Sequence, residues 1–181
     1  MVSSFANTYY QESGVPIVAA SCSEGATTIE QWLPETSRYE DVVNRATLVK
    51  QYIENSDRFK IRYVYFVWCQ GESDGDALTP KEIYYERLDA IATSLVEAGV
   101  VDSCMIVQTG DNVNDAELYD YIQQAQYELS SNSEHCVMIS DSAKTFVKEG
   151  LMKDTYYYTQ EGYNILGEEA GKKAADFSNA R

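Results

Sequence analysis

Hydrophobic residues along this chain follow two alternating patterns, short and nearly continuous apolar runs, and longer stretches with the spacing of an amphipathic helix. Short apolar runs bounded by polar or glycine-containing segments are typical of buried strands, and the longer stretches are typical of helices that cover a sheet. The pattern predicts strands at residues 15–20, 61–68, 104–108 and 136–140. It predicts helices at residues 3–13, 38–55, 80–97, 115–130 and 159–177.

Glycine, proline and capping residues mark the ends of several of these elements. Gly14 follows the first helix, where glycine is favoured because it adopts positive φ without steric cost. Thr79, Pro80 and Glu82 stand at the N-cap, N1 and N3 positions of a predicted capping box. Asn114 is the predicted cap of the next helix. These signals support the helix boundaries.

The alternation of strands and helices predicts a single α/β domain over residues 1–181. Residues 61–68 form the most apolar run, with β-branched and aromatic side chains on both faces, as in a central strand covered by helices. Connections of this length imply β-α-β crossovers, a parallel sheet and helices on both of its faces. The predicted architecture is therefore a three-layer α/β/α sandwich.

The composition excludes several classes of protein. The sequence holds 29 acidic and 14 basic residues, a net charge of −15, so it repels phosphate backbones and anionic lipids, and we expect neither nucleic-acid nor membrane binding. No apolar run reaches the roughly 20 residues that a membrane span needs. No signal-peptide pattern opens the sequence, which fits a cytoplasmic protein, with secretion as the alternative if an N-terminal segment has been removed.

The cysteines and the one histidine give no sign of a metal site. The cysteines lie in or beside apolar runs, without the close spacing of a zinc site or a disulfide scaffold: Cys22, Cys69, Cys104 and Cys136. We expect buried free thiols, no metal and no cofactor. His135 directly precedes the strand at residues 136–140, about 15 Å from the carboxyl end of the sheet. We therefore expect a surface histidine and no Ser-His-Asp triad.

Ligands of open parallel sheets bind beyond the carboxyl ends of the strands, and three segments there carry unusual chemistry. The first is residues 21–28. Gly25 within it is either an ordinary loop glycine or an oxyanion donor whose backbone a substrate can approach closely. A third interpretation makes Ser23 a nucleophile at a sharp turn, but Ser21 stands where that pattern requires glycine.

The second segment, residues 68–74, directly follows the predicted central strand. Its dense polar side chains favour a binding site over packing. Gln70 can donate a side-chain N–H to an anionic oxygen, and Glu72 and Asp74 can anchor loops or bind sugar hydroxyls. Asp74 and Asp76 flank a glycine, but this is far short of a calcium loop, and a turn is the better interpretation.

The third segment, residues 154–163, holds an aspartate and three consecutive tyrosines before the last helix. Thr159 is the predicted N-cap, and the tyrosines can form an aromatic surface over the core. The alternatives are an aromatic platform for a sugar ring and a degenerate catalytic loop.

These segments, in this order, resemble the SGNH hydrolases, and most closely the sialate O-acetylesterase-like carbohydrate esterases. The similarity rests on residues 5–10 and 25–34, on Gln-Gly-Glu-Ser-Asp at residues 70–74, and on residues 154–167. It covers nearly the whole chain. It implies a flavodoxin-like α/β/α fold and hydrolysis of O-acetyl esters on sugars by a serine nucleophile without a metal.

The resemblance also implies roles for individual residues. Gly25 matches the oxyanion-donor glycine of the family's second block. Gln70, Gly71 and Glu72 match the third block, which lines the site and helps to hold the oxyanion. Asp154 matches the aspartate of the closing Asp-x-x-His motif.

Two features depart from the family pattern. The nucleophile block, Gly-Gln-Ser-Asn at the end of the first strand, is absent, because the sequence begins at Met1 inside the helix that should follow it. The position of the catalytic histidine holds Tyr157, and a phenol is a poor acceptor of a serine proton at neutral pH. In the family that this sequence resembles, the missing strand lies between the strands that correspond to residues 15–20 and 61–68. We therefore expect a truncated chain, a strand supplied by another chain, or a sheet that closes differently.

Three hypotheses about function follow. The first is an SGNH-type carbohydrate esterase scaffold that is catalytically incomplete in residues 1–181. The second is a non-catalytic module that binds an acetylated carbohydrate or another small neutral ligand in the same crevice, through Trp32, Trp68 and the tyrosines near Tyr157. The third is an interaction protein that needs a complementing chain or forms a homo-oligomer.

Overall fold

Three parallel strands form one sheet in the computed structural model, which describes residues 1–181. The strands are β1 (Tyr65–Trp68), β2 (Ser103–Val107) and β3 (Cys136–Ser140), in the order β1-β2-β3. Phe66 lies opposite Cys104, and Cys104 lies opposite Cys136, so the three strands are aligned. Their carboxyl ends therefore meet at one edge of the sheet.

Helices connect and cover the strands. They are α1 (Val2–Ser13), α2 (Ser37–Glu54), α3 (Glu72–Asp76), α4 (Lys81–Glu97), α5 (Asp120–Asn132), α6 (Phe146–Glu149) and α7 (Gln160–Asn179), with 3₁₀ turns at Ile29–Trp32 and Ser142–Thr145. None of these helices is both long enough and apolar enough to cross a bilayer.

The sheet separates two apolar cores, one on each face. Along β2 successive side chains alternate between the two cores, as strand geometry requires. Cys104 and Ile106 face the core built with α4 and α5, whereas Met105 and Val107 face the core built with α1 and α7. All β2 residues are buried. The predicted α/β/α sandwich with a parallel sheet is confirmed.

Two glycines on α7 allow it to cross α1 closely. A Cβ atom at Gly171 would lie 2.6 Å from the Phe5 carbonyl oxygen, and one at Gly167 would collide with the Ser4 side chain and the Met1 carbonyl oxygen. Larger side chains would force the two helices apart. The crossing fixes the position of α1 against α7.

The predicted strand at residues 15–20 is wrong. This segment has no regular secondary structure and no backbone–backbone hydrogen bond, and Val18 is 67% exposed. A strand is stabilised by pairing, and these residues do not pair with the free edge of β1. The sheet therefore has three strands rather than four. β1 is also shorter than predicted, because residues 61–63 extend beyond the pairing of Val64 with Asp102.

The predicted capping box before α4 is also wrong. The Thr79 hydroxyl donates to Asp74 Oδ1 (2.9 Å) instead of capping the helix, and Pro80 occupies the N-cap position. Thr79 is thus used to hold the preceding loop.

The predicted start of α5 is wrong, whereas the predicted start of α7 is confirmed. α5 begins at Asp120, five residues later than predicted, because the Asn112 side-chain oxygen accepts two backbone N–H groups and holds the following residues in a turn. For α7 the predicted N-cap is confirmed, since the Thr159 hydroxyl accepts the backbone N–H of Gly162 (3.1 Å).

All the cysteines are free thiols, but they are not all buried. Cys104 and Cys136 are buried in the sheet, Cys22 is half-buried, and Cys69 is exposed at the end of β1. The expectation of buried thiols is therefore wrong for Cys69.

Candidate functional site

Three segments meet beyond the carboxyl ends of the strands, and we name them loop A (residues 21–28), loop B (residues 69–76, which includes the short helix α3) and loop C (residues 152–158). Loops A and B are joined through Gln70 and Asp74. Gln70 Nε2 donates to the Thr27 carbonyl oxygen (2.8 Å) and to Asp74 Oδ2 (2.6 Å). Asp74 Oδ2 also accepts the backbone N–H of Ile29 (2.7 Å). The fully buried Asp74 carboxylate thus fastens the two loops together.

A buried polar network below loop B fixes Gln70. The Tyr84 hydroxyl donates to the Gln70 carbonyl oxygen (2.8 Å) and lies 3.2 Å from Gln70 Oε1. Gln126 Nε2 donates to the same carbonyl oxygen (2.8 Å). Burial raises the pKa of Tyr84 far above its usual value, so it remains a neutral donor. Both amide hydrogens of Gln70 are already in use, and its role in this arrangement is to position loop B.

Gly71 lies on the side of loop B that faces the sheet and α5. A Cβ atom there would lie 2.8 Å from Ile122 Cγ2 and 3.0 Å from Thr109 Cβ. Only glycine lets loop B pack this closely on the residues that follow β2 and on α5. Gly71 therefore sets the height of loop B over the sheet.

Loop C is a tight turn built around Asp154. Asp154 Oδ1 accepts the backbone N–H groups of Tyr156 and Tyr157, each at 2.9 Å. These two hydrogen bonds lower the pKa of Asp154, so the carboxylate is ionised at neutral pH. The Asp154 carboxylate contacts Tyr157 through the Tyr157 backbone N–H. Asp154 therefore shapes the turn that presents two exposed tyrosine side chains.

Loop C completes a ring around a crevice. A Cβ atom at the exposed Gly25 would lie 3.9 Å from the Tyr157 hydroxyl oxygen, so loops A and C face each other there. The Gly110 backbone N–H, just after β2, donates to the Tyr158 hydroxyl oxygen (3.3 Å). On loop B, Asp76 lies beside the Tyr156 hydroxyl and raises its pKa.

Glu72 lies within this ring and makes no hydrogen bond inside the protein, so its carboxylate is free to accept from a ligand. Burial, followed by the Glu72 charge, raises the pKa of Cys69 to about 12 and raises the pKa of Tyr158. The thiol and the phenol are therefore neutral at pH 7. The crevice presents the Glu72 carboxylate, tyrosine hydroxyls and the backbone of Gly25.

Trp32 and Trp68 lie in the core below the crevice. Their rings meet edge to face at 5.9 Å, and both are less than a tenth exposed. Trp32 Nε1 donates to Thr27 Oγ1 (2.9 Å), and Trp68 Nε1 donates to the Tyr84 hydroxyl (3.0 Å). The expected contacts of the two tryptophans and of Asp74 with a ligand do not fit this burial, and all three support the loops from below.

The sequence matches the family described as "Carbohydrate esterase, sialic acid-specific acetylesterase" over residues 1–176. The chain belongs to this family of carbohydrate esterases. The resemblance that the loop sequences carry is therefore confirmed, and the esterase-type scaffold accounts for a site built from loops at the carboxyl ends of a parallel sheet.

A solved structure also resembles this acetylesterase-family chain. The crystal structure of a protein from Arabidopsis thaliana superimposes with a TM-score of 0.68 at 20% sequence identity, over 98% of this chain and 66% of that protein. This likeness shows the shared fold. The chain thus spans slightly less than two thirds of its structural neighbour. No curated protein matches the sequence.

No Ser-His pair forms in residues 1–181 of this esterase-family chain. His135 precedes β3 at the amino end of the sheet, where its carbonyl oxygen accepts the Cys104 N–H (2.8 Å). The Ser21 and Ser23 hydroxyls contact each other (2.9 Å) and no imidazole. No three histidine, cysteine or carboxylate side chains lie close enough together to hold a metal ion.

Sequence reasoning missed the residues that support the loops from below. Tyr84 and Gln126 lie on the buried faces of α4 and α5, and Tyr119 donates to Asp76 Oδ1 (2.8 Å) from beneath loop B. A glutamine or tyrosine at an apolar position of a helix is a usable signal, because a buried polar group needs a partner.

Proposed function

We propose that residues 1–181 form a binding site for a neutral O-acetylated carbohydrate and hold its ester without hydrolysing it. The proposal joins the esterase scaffold with the alternative of a non-catalytic carbohydrate-binding module. The observation that carries it is the position of the Tyr157 hydroxyl directly beside the exposed backbone of Gly25.

Gly25 supports recognition of an ester carbonyl. The residue is exposed, and its backbone N–H has no partner within the protein. A free N–H without a neighbouring Cβ can approach a carbonyl oxygen closely and donate to it. The Tyr157 hydroxyl, which lies beside Gly25, can donate to the same group or to a sugar hydroxyl.

The remaining walls suit a neutral sugar. Tyr156 and Tyr157 are 48% and 55% exposed and offer apolar ring faces for stacking on a pyranose. Glu72 and Asp76 offer carboxylate oxygens to sugar hydroxyls. The same carboxylates, in a chain with a net charge of −15, repel an anionic sugar such as a sialic acid.

Turnover by a serine mechanism needs a base that residues 1–181 do not place in the crevice. Tyr157 occupies the position where the family resemblance calls for histidine, and a phenol accepts a serine proton far less readily than an imidazole at neutral pH. Hydrogen-bond donors aimed at an ester carbonyl give only a modest rate on their own. We therefore expect binding with negligible acetate release.

Calorimetry and an acetate assay on the same samples test the proposal. The ligands are an O-acetylated methyl glucoside, its deacetylated parent and an O-acetylated sialic acid. We expect the acetylated glucoside to bind, the other two to bind at least about tenfold more weakly, and no acetate to be released. Acetate release that is lost in the Gln70→Ala or Asp154→Ala variant would contradict the proposal, as would a folded protein that binds none of the three.

A matched pair of tyrosine variants locates the binding. Tyr157→Phe removes a hydroxyl that faces the crevice, and we expect it to weaken binding by about fivefold to tenfold, the effect of one hydrogen bond. Tyr127→Phe is the control, because Tyr127 is 64% exposed on α5, outside the three loops. Equal effects of the two substitutions would place the ligand elsewhere.

A further inference from the structure

A cavity of about 350 Å³ lies between loop A and the first half of α2. Its walls come from residues 21–24 of loop A, from Trp32 in the 3₁₀ turn, and from four side chains of α2. No residue of α1, β1 or loop C lines it, so the cavity is separate from the free edge of β1. Its volume falls within the roughly 300–1,000 Å³ that small-molecule sites occupy.

The walls of this cavity are polar and their charges are balanced. Nine residues line it, and only two of them are apolar. Arg38 Nη2 donates to Glu24 Oε1 (2.7 Å). Arg45 Nε donates to Asp41 Oδ2 (2.7 Å), and Arg45 Nη1 donates to the Ser21 carbonyl oxygen (3.0 Å). Two guanidinium groups and two carboxylates therefore face one small space.

This balance favours a neutral ligand that is rich in hydroxyl groups. A sugar hydroxyl both donates and accepts a hydrogen bond, so it can use guanidinium N–H groups and carboxylate oxygens of the same wall. An anion would have to displace Glu24 or Asp41 from its arginine, in a chain that carries a net charge of −15. An apolar ligand would desolvate these groups without giving them partners.

Arg38 also carries a donor that no protein group uses. Its Nε atom is buried and has no hydrogen-bond partner, and only one other buried side-chain nitrogen or oxygen in the chain shares this property. Buried N–H groups in proteins normally have an acceptor. The Arg38 side chain is 26% exposed and lines the cavity, so a ligand hydroxyl bound there can supply the acceptor.

Loop A borders both the cavity and the crevice. Residues 21–24 line the cavity, and the next residue, Gly25, lies beside the Tyr157 hydroxyl in the crevice. Two residues span at most about 7 Å, so Ser23 and Gly25 are close in space. A saccharide whose acetylated residue lies at Gly25 can therefore reach the cavity with the next residue of its chain.

We propose that the cavity is a second subsite, which binds the neutral sugar residue next to the acetylated one. The inference rests on the proposed function and specifies its ligand class as an O-acetylated oligosaccharide of at least two neutral residues. Arg38 and Arg45 donate to hydroxyls of the second sugar, and Glu24 and Asp41 accept from them. The crevice holds the ester, and the cavity sets the length of saccharide that binds best.

Calorimetry with ligands of two lengths tests the proposal on the whole chain. The short ligand is the O-acetylated methyl glucoside. The long ligands are the two methyl cellobiosides that carry the same acetyl group on one glucose or on the other, because the direction of the saccharide decides which of them reaches the cavity. We expect one cellobioside to bind at least about tenfold more tightly than the glucoside, the effect of one or two added hydrogen bonds.

A matched pair of arginine variants locates the second sugar. Arg38→Lys keeps the positive charge but removes the Nε donor and the planar fork, so we expect the cellobioside to lose its advantage while the glucoside binds as before. Arg87→Lys is the control, because Arg87 is 28% exposed, pairs with Glu30 (3.7 Å) and lies outside the cavity. This variant is expected to keep the tenfold advantage.

Amide shifts of the unmodified chain give the same test without a variant. The cellobioside is expected to shift the amides of Arg38 and Asp41 on α2, and the glucoside is not. Equal affinity for the glucoside and both cellobiosides would overturn the second subsite and leave the proposed function standing, whereas a folded protein that binds none of these ligands would overturn both.

Two further results would overturn the second subsite. One is an equal loss of glucoside and cellobioside binding in Arg38→Lys, which would mean that Arg38 only supports loop A. The other is a shift of the Arg38 and Asp41 amides by inorganic phosphate alone, which would make the cavity an anion site.

Discussion

β1 and β2 are neighbours in the sheet with similarly apolar sequences, but only β2 is enclosed. Every β2 side chain is buried, whereas Val67 in β1 is 38% exposed and Val18 in residues 15–20 is 67% exposed. We call the part built on β2 and β3 the closed half, and the part formed by residues 15–20 and the free edge of β1 the open half. The difference lies in the neighbours, since β2 has a strand on both sides and β1 on one.

The candidate site lies where the two halves meet. Loop A continues from residues 15–20 in the open half, whereas loop C and Gly110 belong to the closed half. Asp74 and Gln70 connect them. A region with few buried contacts opens locally at a lower free energy than a packed core. The site therefore combines a rigid wall with a wall whose position depends on a few hydrogen bonds.

The largest expected effect is a loss of core packing in the closed half. Ile106 is fully buried in β2, so Ile106→Ala is expected to lower the free energy of unfolding by about 3 to 4 kcal/mol. Val18→Ala, in the open half, is expected to change it by less than about 0.5 kcal/mol. Urea unfolding measures both. Similar losses for the two variants would mean that residues 15–20 are packed as tightly as β2.

The next largest effect is expected at Asp74, which connects the open half to the closed half. Asp74→Ala leaves the Ile29 N–H and the Gln70 amide without their buried acceptor, so we expect a loss of about 3 kcal/mol and weaker sugar binding. Asp57→Ala is the control, because Asp57 is exposed. Thermal unfolding and calorimetry report the two quantities. Asp74→Ala with normal stability would show that loops A and B are held by other contacts.

Substitution of two glycines by alanine is expected to have smaller effects on stability, and the two effects are expected to differ. Gly71→Ala places a methyl group 2.8 Å from Ile122 Cγ2, and we expect a loss of about 2 kcal/mol from overpacking. Gly25→Ala meets only the Tyr157 hydroxyl at 3.9 Å, so its stability is expected to change by less than about 0.5 kcal/mol while ligand binding weakens. The reverse order of stabilities would contradict the positions given to the two loops.

The smallest expected effect is electrostatic and lies at the end of β3. Hydrogen bonds and charges from Lys144 and Lys173 lower the pKa of Asp141. A carboxylate with a lowered folded-state pKa stabilises the fold above its unfolded pKa of about 3.9, and this contribution is lost as the pH falls through the lower folded-state value. Because Asp141 is 40% exposed, Asp141→Asn is expected to cost at most about 0.5 kcal/mol at pH 7, and this cost is expected to shrink as the pH falls below the unfolded pKa of the carboxyl.

Urea unfolding at several pH values measures this effect. A stability difference between the wild type and Asp141→Asn that stays constant with pH would rule out the ion pairs as its cause. Stabilities compared at high salt give a second check, since salt weakens exposed ion pairs.

The layer architecture could be predicted from the sequence because apolar periodicity is a local property. β2, β3 and the helices that cover them follow directly from it, and so does the Thr159 cap of α7. Residues 15–20 carry an equally apolar sequence, but a strand also requires a partner edge, and periodicity contains no information about that edge. The same limit applies to Thr79, whose hydroxyl bonds to Asp74 across the chain instead of capping its own helix.

For the candidate site, the sequence predicted which loops form it more accurately than it predicted the role of each residue in them. Gly25, Glu72, Asp154 and Tyr157 all lie around the crevice, because the carboxyl ends of parallel strands share one edge. The residue types did not, however, predict which of these side chains are buried. Asp74 and Trp68 are polar or amphipathic residues in a binding-type motif, yet the structure places them underneath, where their hydrogen bonds hold the loops.

An NMR titration with the O-acetylated methyl glucoside, with acetate followed in the same tube, tests the central claim most directly. The account expects chemical-shift changes at the amides of Gly25, Glu72, Gly110 and Tyr157, no change in Ile91 on α4, and no release of acetate. Shift changes confined to other surfaces, or acetate released faster than in the same solution without the protein, would contradict a crevice that binds the ester without hydrolysing it.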